Sequence, residues 1–349
     1  MIEQIKINGY KSIKAETIVF KNLTILTGLN SSGKSSIIQA ILMISAYTSP
    51  QNMAIREFIK DYSDFNTNRN RYINAKEIFI ELFLKGCDDI ISIKYSDNTN
   101  KEIINQNNNL TCDFENNLFY ISANRIGQEE LALYDENNKF GTNGKYVFSY
   151  FEQNKSNLID ESLIIKGADS YTLDSQVAYW LNYILGINLR INTVKITASQ
   201  VKVSYNSEGL ENISPFNLGA GNSYLAKIVI MALSCKKGNI LIIENPEIHL
   251  HPKAQAKFGD FISFISSKNI QIILETHSEH IINKTRFNIF KKNLSSADTV
   301  IHYKSTYKDE FINLYINENG HFIDIKEKRE VEFPLGFFDS TLDELLEMM

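Results

Sequence analysis

Cysteine is scarce in this sequence, and its few positions form no pattern. Cys87, Cys112 and Cys235 are the three cysteines among 349 residues, and no two of them stand in a CxxC pair. An odd count without such pairing indicates neither a disulfide framework nor a zinc knuckle. We therefore expect buried thiols.

Long apolar runs are also missing. No run approaches the length needed to cross a bilayer, and the first residues, Met1-Ile-Glu-Gln-Ile-Lys, have the pattern of a strand rather than of a signal peptide. No heptad run predicts a coiled coil, and no internal repeat is present. We expect a protein that acts in the cytosol.

An excess of positive charge is absent as well. The 36 Lys and Arg residues against 41 Asp and Glu residues give a net charge of −5, which argues against a surface that is basic all over. One compact basic cluster remains, made of Lys284, Arg286, Lys291 and Lys292. A solvated helix face is its favoured interpretation, and a local DNA contact stays open as the alternative.

One segment of eight residues carries the most specific motif. Gly28-Leu-Asn-Ser-Ser-Gly-Lys-Ser35 matches GxxxxGK[ST], follows the alternating run 23–27 and opens a helical-period segment over 36–43. Glycines let backbone N–H groups wrap phosphates at a helix N-terminus, the lysine meets the β- and γ-phosphates, and the serine hydroxyl binds Mg²⁺. The expected phosphate-binding residues are Gly28, Asn30, Ser31, Ser32, Gly33, Lys34, Ser35 and Ser36.

The chain divides into three predicted parts. Strand patterns dominate residues 1–144, which include a β-hairpin formed by 77–84 and 90–96. Aromatic and apolar residues at helical spacing over 145–188 predict a helical insertion, in the manner of a lid or arm. Strand patterns then resume, so that 189–349 completes one head. The predicted fold is an α/β P-loop NTPase with an antiparallel β subdomain and a helical insertion.

A second strand supplies the acid that a phosphate loop needs. The apolar run 239–243 fits a buried central strand and ends in Glu244-Asn-Pro-Glu247. Ligands bind at the carboxyl ends of strands in open parallel sheets, so we assign Glu244 to Mg²⁺, directly or through water. Without the phosphate loop, a solvated carboxylate in a strand-to-helix loop would be the better interpretation.

Two further segments suit a nucleotide. Strand 270–274 leads into Glu275-Thr-His277-Ser278, and a histidine at that edge can donate to a γ-phosphate or orient water, although a lone histidine is more often a surface residue. Small residues over 217–223 open an apolar helix and offer a second cradle of N–H groups. Because one head already has its phosphate loop, this cradle would serve a nucleotide on another copy.

The order of these motifs resembles that of the ABC-type ATPase heads of the SMC, Rad50 and RecF group. The segments IENPEIHLHP, ETHSEHII, YISANRIG and the terminal FPLGFFD are more closely similar to compact AAA/ABC-like ATPases related to OLD and Septu proteins. Such ATPases are frequent in bacterial anti-phage defence loci. The resemblance covers nearly the whole chain, and ENPExHLHP followed by ETHS is its specific part.

The resemblance implies that two subunits close head-to-tail on two ATP molecules. The signature segment of one subunit then contacts the γ-phosphate held by the other. The residues carried over are Gly219, Gly221 and Ser223 as the trans signature, His277 as the switch histidine, Leu250, His251 and Pro252 in a dimer-facing loop, and Gln128 near Arg125 as a looser match to the metal-sensing glutamine.

Two departures from the family pattern matter. ABC heads place a catalytic glutamate directly after the metal acid, whereas this chain has Asn245, whose amide cannot accept a proton as a carboxylate does. We assign water activation to Glu247, the nearest carboxylate, and leave open a base elsewhere. The chain also has no Toprim-like nuclease module, so any cleavage of nucleic acid would need a partner.

The resulting prediction is an ATPase that hydrolyses ATP slowly, with Lys34, Glu247 and His277 as catalytic residues and Ser35, Glu244 and Gln128 at the Mg²⁺. It would switch by dimer closure as the sensor of an anti-phage system with a separate effector, a nuclease or toxin. A RecF-like DNA-repair ATPase is one alternative. A nucleotide-gated scaffold with little turnover is the other.

Overall fold

The computed structural model describes residues 1–49, 51–62, 64–86, 90–96, 99–105, 112–306, 308–324 and 329–334. The strands are β1 (Ile2–Tyr10), β2 (Ile13–Val19), β3 (Leu23–Gly28), β4 (Glu77–Leu84), β5 (Ile90–Ser96), β6 (Thr99–Asn105), β7 (Leu118–Ile121), β8 (Leu131–Leu133), β9 (Leu189–Thr197), β10 (Gln200–Ser207), β11 (Leu210–Ile213), β12 (Ile240–Glu244), β13 (Gln271–Glu275), β14 (Thr299–Lys304), β15 (Ile312–Ile316), β16 (Phe322–Asp324) and β17 (Arg329–Glu330). The helices are α1 (Lys34–Thr48), α2 (Met53–Ile59), α3 (Phe65–Asn68), α4 (Val147–Asn154), α5 (Leu173–Leu185), α6 (Ala220–Leu233), α7 (Pro252–Ser267) and α8 (Glu279–Phe290). Cys87 and most of the terminal FPLGFFD segment lie outside the described residues.

The largest sheet contains the phosphate-loop strand. Its order is β17-β16-β15-β14-β3-β13-β12-β7, and the five strands from β14 to β7 run parallel. The residues of β3 and β13 are buried throughout, as expected for strands covered on both faces. Because β13 lies between β3 and β12, the strand that ends in Glu244 is not adjacent to the phosphate-loop strand.

Antiparallel sheets build the rest of the β structure. One has the order β2-β1-β4-β5-β6, and the β4–β5 pair confirms the predicted hairpin strands. A smaller sheet is centred on β10, which pairs with β8, β9 and β11. The antiparallel subdomain that the strand patterns predicted is therefore present.

Two hydrophobic cores lie on opposite faces of the large sheet. Alternate residues of β13 divide between them, with Ile272 and Leu274 in one core and Ile273 in the other. Helix α1 and the five-stranded sheet cover one face, and α5 to α8 cover the other. This layering leaves the carboxyl ends of β3, β12 and β13 together at one edge.

The segment 145–188, for which we predicted a helical insertion, contains the helices α4 and α5, and it is not a projecting arm. Phe148 and Phe151 of α4 and Trp180 and Leu181 of α5 are buried in the main core, and α5 packs on α6 and α7. The segment is therefore an integral layer of the head, which differs from the lid or arm that we expected.

Two smaller expectations can be compared with the structure. Cys112 and Cys235 are buried free thiols, as the scarcity of cysteine suggested. Among the described residues, no helix combines the length and the apolar composition that crossing a membrane requires.

Candidate nucleotide site

The phosphate loop joins β3 to α1, and its two glycines are required by close contacts. Gly28 has a φ of 129°, and a Cβ there would lie 2.1 Å from the backbone oxygen of Lys304 on β14. Gly33 precedes α1 with a φ of 108°, and its Cβ would lie 2.7 Å from the Oγ of Ser12. Side chains at these two positions would therefore clash with neighbouring segments, so the conformation of the loop requires glycine at both.

The other loop positions divide between surface and interior. Asn30 and Ser31 are exposed, and Ser31 is left-handed with a φ of 61°. Ser32 is fully buried, and within the described part of the chain its hydroxyl has no hydrogen-bond partner. Ser36, in the first turn of α1, donates its N–H to the carbonyl of Gly33. This cradle and the orphaned hydroxyl fit a phosphate ligand.

Lys34 lies inside the loop. Its side chain is almost fully buried, and Nζ donates to the carbonyl oxygens of Gly28 at 3.0 Å and Leu29 at 2.7 Å. Burial lowers the pKa of this ammonium, while the carboxylates of Glu275 and Glu247 oppose the shift. The lysine charge therefore sits where the loop would wrap phosphates.

Glu275 is the residue at this edge that the sequence analysis passed over. It ends β13, and the Oγ of Ser35 donates to its Oε1 at 2.9 Å. Burial, reinforced by the charge of Glu244, raises the pKa of Glu275 to about 7. Its Oε2 is buried and has no partner among the residues that the structure describes.

Glu244, our predicted magnesium acid, lies one strand further from the loop. It ends β12 and is paired in register with Glu275. Its Oε2 accepts the N–H of Ala123 at 3.1 Å, and burial raises the pKa of its carboxyl. The structure therefore brings Glu244 to the predicted edge but places another carboxylate between it and the phosphate loop.

Glu247 connects the end of β12 to the histidine segment. Its Oε1 accepts the N–H of His277 at 2.7 Å, and its Oε2 accepts the hydroxyl of Thr276 at 2.8 Å. Burial raises the pKa of Glu247. His277 is an exposed residue, and partial burial of its ring together with the charge of Lys34 lowers its pKa. These interactions place Glu247, His277 and Lys34 near one another.

Asn245 and Arg125 complete this edge. Asn245 is left-handed with a φ of 43°, its N–H donates to the carbonyl of Glu275, and its Oδ1 is buried without a partner among the described residues. The guanidinium of Arg125 donates to the backbone oxygens of Glu244 at 3.0 Å and Asn245 at 3.1 Å and lies over the ring of Tyr224. Sequence reasoning noted Arg125 only as a neighbour of Gln128, although it belongs to the quoted YISANRIG segment.

The signature segment differs from its prediction. Gly219 is exposed and precedes α6, and a Cβ there would meet nothing within 4 Å. Gly221 is buried, and its Cβ would lie 2.4 Å from the backbone oxygen of His249. Ser223 is 2% exposed, and its hydroxyl is 3.2 Å from that of Tyr205. Of the three predicted trans contacts, only Gly219 faces outward, because it precedes α6 in an extended conformation, whereas Ser223 lies on the buried face of the helix.

Gln128, our looser match to the metal-sensing glutamine, is hydrogen-bonded to the backbone before α6. Its Nε2 donates to the carbonyl oxygens of Pro215 at 2.9 Å and Leu218 at 2.6 Å. The amide therefore supports the backbone that leads into the signature segment. Its neighbour Glu129 forms an ion pair with the fully buried Lys227 of α6.

The predicted dimer-facing loop is partly at the surface. Leu250 is buried, whereas His251 and Pro252 are exposed at the start of α7. The Nδ1 of His251 accepts the N–H of Lys253 at 3.2 Å and so caps this helix. The ring of His249 stacks on Tyr224.

A magnesium ion at this edge would depend on the nucleotide. No three His, Cys, Asp or Glu side chains among the described residues form a metal site by themselves. The hydroxyl of Ser35 and the unpartnered oxygen of Glu275 are hard oxygen donors, and Mg²⁺ usually combines one or two carboxylates with phosphate oxygens and water. The residues present therefore fit a nucleotide-bound Mg²⁺.

Two family models match the chain. The model described as AAA ATPase domain matches residues 1–184, and the model described as AAA domain, putative AbiEii toxin, Type IV TA system, matches residues 94–283. Each match covers more than half of the chain. The chain belongs to the AAA ATPase family.

Solved structures support the fold of this AAA ATPase. The crystal structure of the SmcHead bound to the C-winged helix domain of ScpA has a TM-score of 0.56 at 13% identity, covering 91% of this chain and 98% of that chain. An Smc head domain with an extended coiled coil, bound to the C-terminal domain of ScpA derived from Pyrococcus furiosus, has a TM-score of 0.53 at 12% identity, covering 90% and 96%. No curated protein matches the sequence. The predicted α/β P-loop ATPase head is confirmed.

Proposed function

We propose that this AAA ATPase hydrolyses ATP slowly and switches by head-to-tail closure of two copies, as the sensor of an anti-phage defence system with a separately encoded effector. One observation carries the proposal. The phosphate loop with Lys34 and Ser35, the acidic ends of β12 and β13, and the histidine segment share one sheet edge. The sequence separates the phosphate loop from the other segments by more than 200 residues.

The side chains at this edge can divide the work of phosphoryl transfer. Lys34 would stabilise the charge that develops on the transferred phosphoryl group, and Ser35 with a strand-end carboxylate would hold the Mg²⁺, which neutralises the phosphate oxygens when bound. The exposed ring of His277 would contact the γ-phosphate. Each of these roles needs the group to lie near Lys34. The effect of Glu275 on the pKa of Lys34, and that of Lys34 on the pKa of His277, support this proximity.

Slow hydrolysis follows from the proposed base. Glu247 would activate water, because the amide of Asn245 cannot. Each oxygen of Glu247 already accepts one hydrogen bond, from His277 and from Thr276, so only its remaining lone pairs are free to bind a water. Glu247 would thus both position the histidine segment and act as a constrained base.

The exposed start of α6 supports the dimer. Phe216 is 62% exposed, and Asn217 and Gly219 are exposed beside it. The first N–H groups of a helix attract anions. In the closed dimer these N–H groups would meet the γ-phosphate of the other copy, and the hydroxyl of Ser223 would not.

The proposed biological role rests on the names of similar proteins. One matching family model is described as a putative AbiEii toxin of a Type IV TA system, and the SmcHead structure contains a bound domain of another protein, ScpA. Both descriptions are consistent with an ATPase head that works together with a second protein. We leave DNA open as an additional partner.

Phosphate release tests the enzymatic part of the proposal. Lys34→Ala should lower the ATP turnover of the purified protein by about 100-fold or more, because it removes a charge from the transferred group. Lys237→Ala, which changes an exposed lysine in a turn before β12, should leave turnover unchanged. Turnover that Lys34→Ala fails to reduce would reject the assignment, and no turnover in the wild type would favour a nucleotide-gated scaffold.

Light scattering tests the switch. Glu247→Gln with ATP and Mg²⁺ should accumulate a dimer that the wild type forms only transiently. Adding Gly219→Glu should abolish this dimer without unfolding the protein, because a side chain at Gly219 meets nothing within 4 Å. A Glu247→Gln protein that stays monomeric with bound ATP would contradict closure.

Infection tests the biological role. Cells that carry this gene together with its neighbouring genes should resist phage, and Lys34→Ala should restore plaque formation. Equal plaque numbers with and without the wild-type genes, across a broad phage panel, would count against the defence role.

A further inference from the structure

We propose that Glu275, rather than Glu244, is the carboxylate that binds Mg²⁺ directly, next to the hydroxyl of Ser35. The inference rests on the proposed ATPase function, because the ion would arrive with the nucleotide. It assigns a metal ligand that the motif pattern did not suggest.

The order of strands is the first argument. β13 is hydrogen-bonded to β3 on one side and to β12 on the other. Neighbouring strands lie about 4.8 Å apart, so a residue that ends β12 is about 10 Å from the phosphate-loop strand, whereas one that ends β13 is a direct neighbour. Glu275 is paired with Leu26 of β3, two residues before the loop begins at Gly28.

The distance between the two oxygens is the second argument. The Oγ of Ser35 and the Oε1 of Glu275 are 2.9 Å apart. Mg²⁺ binds oxygen at about 2.1 Å in octahedral geometry, which separates adjacent ligands by about 3 Å. The two atoms therefore already have the spacing of neighbouring ligands on one ion, and binding would replace their hydrogen bond without moving them apart.

The surroundings of the carboxylate are the third argument. Glu275 is 5% exposed, and its Oε2 has no hydrogen-bond partner within the described chain. A buried, unpaired carboxylate oxygen is costly unless something else satisfies it. The carboxylates of Glu244 and Glu247 add repulsion, which a divalent cation would offset.

Glu244 then takes a supporting position. One of its oxygens accepts the N–H of Ala123, and its carboxylate is also hydrogen-bonded to the side chain of Tyr120. These bonds hold the group in place one strand away, where it can accept hydrogen bonds from water on the ion. Outer groups of this kind tune a metal site without touching the metal.

Mn²⁺ is the probe for the test, because its electron paramagnetic resonance signal reports both affinity and ligands. The full-length protein is titrated with Mn²⁺ in the presence of a non-hydrolysable ATP analogue. Glu275→Gln should weaken Mn²⁺ binding by at least about tenfold, and Glu244→Gln should weaken it less. Binding of the analogue in EDTA should not weaken in Glu275→Gln, because this variant only removes a negative charge beside the phosphates, and the exposed Glu3→Gln serves as the control.

Direct ligation has its own spectroscopic signature. With ¹³C-labelled glutamate in the protein, electron–nuclear double resonance should show a carboxylate carbon strongly coupled to Mn²⁺. This coupling should vanish in Glu275→Gln and persist in Glu244→Gln. The opposite pattern would overturn the inference and restore Glu244 as the direct ligand.

The outcomes separate this inference from the proposed function. If the wild type binds neither the analogue nor Mn²⁺ with it, the ATPase proposal itself fails. If the wild type binds both and Glu275→Gln binds Mn²⁺ equally well, only the role of Glu275 is rejected. Thermal unfolding in EDTA shows whether each variant is folded, and Glu275→Asp, which keeps the charge, should retain the carboxylate coupling.

Discussion

The phosphate-loop edge and the signature segment are both glycine-containing helix starts, yet they use their residues in opposite ways. At the phosphate-loop edge, Ser35 donates to the carboxylate of Glu275, and Lys34 donates to the carbonyl of Leu29 inside the loop. In the signature segment, Gly221 and Ser223 are taken up by packing inside the chain. The first region presents side-chain groups to a ligand, whereas the second presents backbone N–H groups at its surface.

This difference shows what each half of a nucleotide site shared between two copies requires. The half that holds the nucleotide needs charged groups whose burial is tolerated only with partners. The half that closes on it needs an accessible helix start held rigidly from behind, and Gln128, Glu129 and Arg125 contact that region from the segment after β7.

Removing the guanidinium that joins the two regions should have the largest effect. Arg125→Met leaves the carbonyls of Glu244 and Asn245 without two charge-assisted bonds and should lower the free energy of unfolding by about 4 kcal/mol. Urea unfolding measures it. Arg190→Met, which removes exposed ion pairs with Asp169 and Asp174, should cost less than about 1 kcal/mol. Equal costs in the two variants would show that Arg125 does not brace the site.

A dependence of stability on pH should distinguish the phosphate-loop edge from the signature segment. Because the folded protein raises the pKa of Glu275 to about 7, this group contributes stability that is fully present below the ordinary glutamate pKa. The contribution is lost as the pH rises through 7. At about 1.4 kcal/mol per pKa unit, the wild type should lose about 3 kcal/mol relative to Glu275→Gln between pH 5 and pH 8.

The measurement is urea unfolding across this pH range in EDTA, without nucleotide. Glu3→Gln should track the wild type, because Glu3 is exposed on β1. A constant difference between the wild type and Glu275→Gln would mean that Glu275 titrates in its ordinary range, and the description of a strained acidic edge would fail.

Two glycines in the signature segment should respond very differently to the same substitution. Gly221→Ser forces a Cβ toward the backbone oxygen of His249 and should cost about 2 kcal/mol of stability. Gly219→Ser has open space and a helix-capping residue type, so its effect should stay within about 0.5 kcal/mol. Thermal unfolding of both variants measures the contrast. A destabilising Gly219→Ser would show that this position is not the open surface that closure requires.

The sequence predicted the local parts of the site and not their relative positions. The phosphate loop could be predicted because GxxxxGK[ST] is a continuous segment whose flanking strand and helix are its neighbours in the chain. Glu275 was passed over because the position of β13 between β3 and β12 is a property of the sheet, and no local pattern encodes strand order. The acidic edge of the sheet was thus predicted, while Glu275, whose carboxylate accepts the hydroxyl of Ser35, was not singled out.

The signature prediction failed for a different reason. Ser223 shares a helical stripe with Lys227, and two polar residues on one stripe predict a solvent-facing side, yet both are buried. The burial of Lys227 depends on its ion pair with Glu129, which is distant in the chain. The contact of Gly221 with His249 could not be predicted, because it joins segments that are distant in the chain.

The smallest expected effect concerns the hydroxyl of Ser223. Ser223→Ala removes the partner of the buried Tyr205 hydroxyl and should cost about 1 kcal/mol, whereas the double variant with Tyr205→Phe should recover part of this cost, because no unpaired group remains. ATP-dependent dimerisation should be unchanged in all three proteins, since the hydroxyl does not reach the surface. If Ser223→Ala abolished the dimer at unchanged stability, Ser223 would have to turn outward on closure, and the contrast between a ligand-binding half and a backbone-presenting half would no longer hold.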